Sequence, residues 1–178
     1  SRKMKTTARI YLDYASTTPI DVGVVKVMKR FLSQDFGNPS SIHTEGVVAK
    51  KAVENARKKV ATLFSVQPDE IIFTSGGTEA NNLAIFGAVS ALEKKGITIS
   101  KMHAVTSVIE HSSILECFRE LESRGMKVEY APVTEKGIID LKAFKKLLHP
   151  QTVLVSVQYV NNEIGTIQPI REISKTLR

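Results

Sequence analysis

At 178 residues the chain is long enough for one domain with a sizeable core, and its 42% apolar and 24% charged residues match an ordinary soluble globular protein. No apolar run is long enough to span a membrane, and the basic start "SRKMKTTAR" lacks the apolar stretch of a secretory signal, reading instead as a tag remnant or a disordered arm in preference to the stub of a transit peptide. The net charge of +7 is spread along helical faces such as "KKAVENARKK" without basic aromatic clusters, which argues against nucleic acid as a partner.

In chain order, "IYLDYASTTPID" is a short alternating start that ends in hydroxyls and a proline. Val24 to Leu32 has helical spacing of apolar residues, and "SQDFGNPSSIHTEG" is a loop rich in turn residues. Val47 to Phe64 is an amphipathic helix, closed by "QPDE", and Ile71 to Phe73 begins a strand. Glu79 to Lys95 is helical and Gly96 ends it. His103 to Val108 is a strand, Ser112 to Ser123 a helix, Val128 to Ala131 a strand and Leu141 to Leu148 a short helix. Val153 to Tyr159 is a strand, "VNNEIGTIQPI" a loop, and a helix starts at Ile170. Strands alternating with helices predict a parallel α/β sheet with helices on its faces. The final "REISKTLR" is half of an amphipathic helix without a cap, so the sequence reads as the front of a longer protein. The one cysteine, Cys117, excludes an internal disulfide and fits a reducing, cytoplasmic setting. Its place beside Phe118 on a helix predicts burial.

The stretch "FTSGGTEANN" carries the first chemical signal. Gly76 and Gly77 stand between an apolar run and a helix, where free backbone N–H groups and the helix dipole favour an anion such as phosphate. Thr74, Ser75 and Thr78 add hydroxyls. The stretch is neither a Walker A loop nor a dinucleotide fingerprint, and a plain Gly-Gly turn with Thr78 as the helix cap is the competing reading. Two further turns shift the balance: "SVIEHSSI" puts His111 at a strand-to-helix turn, and "QYVNNEIGTIQPI" puts Asn161 and Asn162 just past a strand. If the strands are parallel, all three turns lie at one sheet edge.

Together, "YLDYASTTP", "FGNPSSIHTEG", "EIIFTSGGTEANNLAI", "EHSSIL", "GIIDL" and "VSVQYVNNEIGTIQPI" resemble the cysteine desulfurases, enzymes of the class V aminotransferase group that use pyridoxal 5'-phosphate (PLP). The resemblance runs from about Tyr11 to the last residue. It implies part of a fold type I large domain, a mostly parallel sheet with flanking helices, over residues 23–178. Residues 1–22 would be an arm of the small domain. It implies that Gly77 and Thr78 hold the cofactor phosphate, that Gly76 shapes the loop, and that His111 stacks on the pyridine ring and takes part in proton transfers. Asn162 would bond the ring oxygen, and Asn38 would line the substrate mouth; no metal is implied.

The implied reaction converts L-cysteine to L-alanine, with the sulfur carried as a persulfide on an enzyme cysteine and passed to an acceptor or scaffold protein. Iron–sulfur cluster assembly or thiolation would use it, and a homodimer is implied. The family's Schiff-base lysine and persulfide cysteine lie downstream of these 178 residues, and Cys117 does not match the latter. The chain alone is therefore expected to be inactive, and its glycine-loop strand to pair with the missing half. Other readings are a selenocysteine lyase, another class V PLP enzyme, or a truncated, non-catalytic binding module.

Overall fold

A computed structural model describes residues 9–177, which fall in two compact units, Ser1–Phe73 and Thr74–Arg178. The basic stretch read as a tag remnant or arm lies, up to residue 8, outside the described residues.

The first unit holds two helices, α1 (Val22–Ser33) and α2 (Thr44–Phe64). α1 starts two residues before the expected Val24 because the Asp21 carboxylate accepts from the N–H groups of Gly23 and Val24, at 2.8 and 3.3 Å. It buries no residue. α2 starts earlier than expected as well, with His43 as its cap, accepting from the Gly46 N–H. A short 3-10 turn, Pro68–Glu70, follows.

The strand expected at Ile71–Phe73 is not formed. The run is extended at Ile71 but joins no ladder. It is held instead by Arg57 of α2, whose guanidinium donates to the Ile71 carbonyl and lies over the Phe73 ring, 4.9 Å from its centre. An extended run becomes a strand only when another strand takes its N–H and C=O groups, and no described strand does so.

The second unit is a three-layer α/β arrangement. Helix α3 (Gly77–Glu93) is followed by β1 (His103–Ser107), α4 (Ser112–Ser123), β2 (Lys127–Ala131), α5 (Leu141–Leu147), β3 (Thr152–Ser156) and α6 (Ile170–Thr176). The sheet order is β2-β1-β3 and both pairings are parallel, as the alternation of elements predicts. β1 is central and all five of its residues are buried, as befits a strand covered on both faces.

Its alternation divides the core in two. On one side Ala104 packs with Met102, with Ile85 and Val89 of α3, and with Cys117, Phe118 and Leu121 of α4. On the other side Val105 packs with Ala131, Ile139, Phe144 of α5 and Ile173 of α6. α4 has the expected boundaries. β3 ends three residues before the expected Tyr159, because the N–H of Gln158 leaves the ladder for the Glu110 carboxylate.

Candidate active site

The glycine loop enters α3 with Gly76, not Thr78, as the capping residue; Thr78 is already inside the helix. The first helical amide with an acceptor is that of Ala80, which donates to the Gly76 carbonyl at 3.1 Å. The N–H groups of Gly77, Thr78 and Glu79 have no acceptor among the described residues. Nothing lies within 4 Å of where a Cβ would stand on Gly76 or Gly77. The start of this 17-residue helix is therefore open space facing three free donors at the positive end of a dipole, which suits an anion.

Two of the hydroxyls are engaged. Thr74 Oγ1 donates to the Gly76 carbonyl at 3.1 Å. Ser75 gives both its Oγ–H and its backbone N–H to the Glu79 carboxylate, each at 2.6 Å. The Thr78 hydroxyl has no such bond among the described residues.

His111 follows β1 and caps α4. Its Nδ1 accepts from the Ser113 N–H at 3.1 Å and lies 2.8 Å from Ser113 Oγ. Asn81 of α3 donates from Nδ2 to the same Ser113 Oγ at 2.8 Å. Thr78 and His111 line one cavity of about 400 Å³ between α3 and α4, together with Asn82, Phe86 and Cys117. The two signals thus do converge. They do so because α3 packs on α4 across the Asn81–Ser113 bond, not because the glycine loop ends a paired strand.

Cys117 is buried, as expected, and donates to the Ser113 carbonyl at 3.2 Å. Burial pushes its thiol up, which leaves little thiolate for nucleophilic work.

The turns after β1 and β3 are bound together. Glu110, buried next to His111, accepts from Ser107 Oγ at 2.6 Å and from the Gln158 N–H at 3.0 and 3.1 Å. Gln158 Nε2 and Asn161 Nδ2 both donate to the Ile109 carbonyl, at 2.5 and 3.1 Å. Asn161 Oδ1 accepts from the N–H groups of Glu163 and Ile164. The pair of asparagines is thereby sorted: Asn161 is a buried brace, and Asn162 is exposed, bonded through Nδ2 to Glu163 at 3.0 Å. Asn38 belongs to the first unit, where its side chain accepts from the Ser40 N–H at 2.9 Å.

The profile of the family described as Aminotransferase class-V matches residues 10–178. The chain belongs to the class-V aminotransferase family.

Among curated relatives, the cysteine desulfurase IscS of Dictyoglomus turgidum is 49% identical over 166 residues, covering 93% of this chain and 41% of that protein. Among solved structures, a NifS-like protein superposes with a TM-score of 0.88 at 38% identity, covering 96% of this chain and 45% of that one. A structure described as SspA in complex with cysteine gives 0.82 at 40% identity, covering 93% of this chain and 46% of that one. The chain spans about two fifths of the length of the curated relatives it matches. Its three-stranded parallel sheet with flanking helices accordingly corresponds to the N-terminal half of fold type I neighbours.

Within this class-V chain, sequence reading singled out the exposed groups and missed their supports. Ser113, Asn81, Glu110 and Gln158 follow no spacing rule, since their bonds span up to 49 positions. One signal was readable. A glutamate between an apolar strand and a loop histidine, in "SVIEHSSI", stands where a buried carboxylate needs partners.

Proposed function

We propose that the chain is the phosphate-holding part of a PLP-dependent cysteine desulfurase, which takes sulfur from L-cysteine and leaves L-alanine. The observation that carries this reading is the pairing, on one cavity, of an open helix start bearing three free amides with the ring of His111. An anionic phosphate fits the first and a flat aromatic ring fits beside the second. The cysteine desulfurases among its relatives, and a neighbour described in complex with cysteine, support the substrate.

In this reading the amides of Gly77 and Thr78 and the Thr78 hydroxyl hold the phosphate. Gly76 leaves room for it. His111 lies against the cofactor ring, and Asn162 donates to the ring oxygen. When bound, PLP supplies an electron sink for breaking bonds at the substrate's α- and β-carbons. The chain's own residues fix the phosphate and orient the ring. The lysine that tethers the cofactor and the cysteine that receives sulfur belong to sequence beyond these residues. As that cysteine's S–S bond to the substrate sulfur forms, the substrate C–S bond breaks, and the outer sulfur of the resulting persulfide passes to an acceptor or scaffold protein, leaving the cysteine as a thiol. The complete enzyme is a cytoplasmic homodimer, and iron–sulfur assembly is its pathway class.

The test uses the complete protein that contains this chain, with PLP, L-cysteine and a thiol reductant. Sulfide and alanine should appear in equal amounts, and Thr78→Ala should weaken cofactor binding. Absence of bound PLP, or alanine without sulfide transfer, overturns the reading. The 178 residues alone should release no sulfide.

A further inference from the structure

From the hydrogen bonds around its ring, we infer that Asn81 and Ser113 set the tautomer of His111, so that this histidine presents an N–H donor, and no free lone pair, to the cavity. The inference deepens the proposed function, and rests on it only for what the cavity holds.

His111 Nδ1 lies 3.1 Å from the Ser113 backbone nitrogen, and that nitrogen can only donate. Nδ1 therefore carries a lone pair. The Ser113 hydroxyl lies 2.8 Å from the same Nδ1. It has one proton to give, and its direction is fixed by Asn81, whose Nδ2 donates to Ser113 Oγ at 2.8 Å. With an incoming donor on the oxygen, the hydroxyl proton goes to Nδ1.

Two donors thus fill one lone pair, and the ring proton is driven to Nε2. Nε2 has no partner among the described residues, and His111 lines the cavity of about 400 Å³.

This assigns roles. A neutral His111 of this form offers its ring face and an Nε2–H to an oxygen or sulfur acceptor in the cavity. It does not accept a proton there: Nε2 already bears one, and Nδ1 is covered. His111 is thus a donor and a stacking surface at the start of a reaction, and the group that first removes a substrate proton is another one. Asn81 and Ser113 are positioning residues.

The experiment reads the tautomer directly, without cofactor or turnover. The chain labelled with nitrogen-15 in its four histidines is examined by two-bond nitrogen–proton correlation above the range in which imidazoles are charged. His111 is assigned by His111→Gln. His103 serves as the folding control, because its Nε2–H is set independently by Thr152 and Glu129.

The wild type should show His111 almost wholly as the Nε2–H form. Asn81→Asp, nearly isosteric, must accept from the Ser113 hydroxyl, so its proton turns away from Nδ1, and the Nδ1–H form should rise at least severalfold. Ser113→Thr should keep the wild-type pattern. A wild type with Nδ1–H, or with the two forms equal, overturns the inference. So does an Asn81→Asp spectrum unchanged at His111 while His103 stays native. Failure of PLP to bind the complete protein, with the tautomer as stated, overturns the functional reading and leaves the tautomer assignment standing.

Discussion

The carboxylate of Glu110 receives the backbone N–H of Gln158 on both oxygens, at 3.0 and 3.1 Å, and so ties the end of β1 to the end of β3. This bond stops the β3 ladder and sets the spacing of the two turns that carry His111 and Asn162. Glu110→Ala leaves the Gln158 N–H and the Ser107 hydroxyl without their acceptor. An unpaired buried donor costs about 1–3 kcal/mol, so urea unfolding should show a loss of that order. Glu110→Gln keeps one oxygen for both donors and should lose less.

The same pair gives a pH dependence. Burial lifts the Glu110 carboxyl above the usual range, opposed by the bonds from Ser107 and Gln158. The folded state then holds this proton more tightly than the unfolded state. The stability contributed by the group is complete below the ordinary carboxylate range and is lost as pH rises through the raised value. Unfolding free energies of wild type and Glu110→Gln, measured from acid to neutral pH, should show the wild type losing stability relative to the glutamine variant as pH rises. Parallel curves would show that Glu110 is not perturbed.

Glu79 shifts the other way. The Ser75 hydroxyl, and then the Ser75 amide, hold its carboxyl below the usual range. Its contribution is present above the ordinary carboxylate range and disappears as pH falls through the lowered value. Ser75→Ala removes the larger cause, so the Glu79 midpoint should rise in a carbon-13 carboxyl titration. An unmoved midpoint would mean that the Ser75–Glu79 bond is not populated in solution.

The elements of the second unit were legible because each carries a local signal. α4 is read correctly to the residue, since the apolar spacing of Ile114, Leu115, Phe118 and Leu121 and the turn at Gly125 bound it on both sides. Ile71–Phe73 shows the opposite case, a run expected to pair with a strand outside these residues that joins no ladder among the described ones. Its residues favour a strand, but strand formation is a property of two segments, and Arg57 supplies a different partner. The site shows the same division. The glycine loop and His111 announce themselves by residue type, whereas Ser113 and Glu110 gain meaning only from partners distant in sequence.

At the opposite ends of the strands, Thr152 makes a two-sided bond. Its Oγ1 accepts from the His149 N–H at 2.8 Å and lies 2.7 Å from Nδ1 of the buried His103. With that incoming donor, the hydroxyl proton goes to Nδ1, and Nε2–H faces Glu129 at 3.1 Å. Thr152→Val keeps the shape and removes both bonds, for an expected loss of about 1–3 kcal/mol. Thr152→Ser should recover most of it. Equal stability of the valine and serine variants would show that packing, not the hydroxyl, holds β3 at this point.

The loop that presents Asn162 depends on a position whose left-handed backbone favours glycine. Gly137 has φ +69°, and a Cβ there would stand 2.5 Å from Ile164 Cδ1. Its carbonyl accepts from Gln168 Nε2 at 2.8 Å and from Thr166 Oγ1 at 3.3 Å, and buried Gln168 also accepts from the Ile139 N–H. Gly137→Ala adds left-handed backbone strain of roughly 1–2 kcal/mol, and the contact displaces Ile164, two residues from Asn162. The expected result combines lower stability with altered backbone chemical shifts at residues 161–168, while β1 and α4 keep theirs. Because the strain falls on the loop and not on the core, PLP affinity of the complete protein should fall more than the loss of stability accounts for. Affinity unchanged in a destabilised Gly137→Ala protein would remove Asn162 from the cofactor's partners.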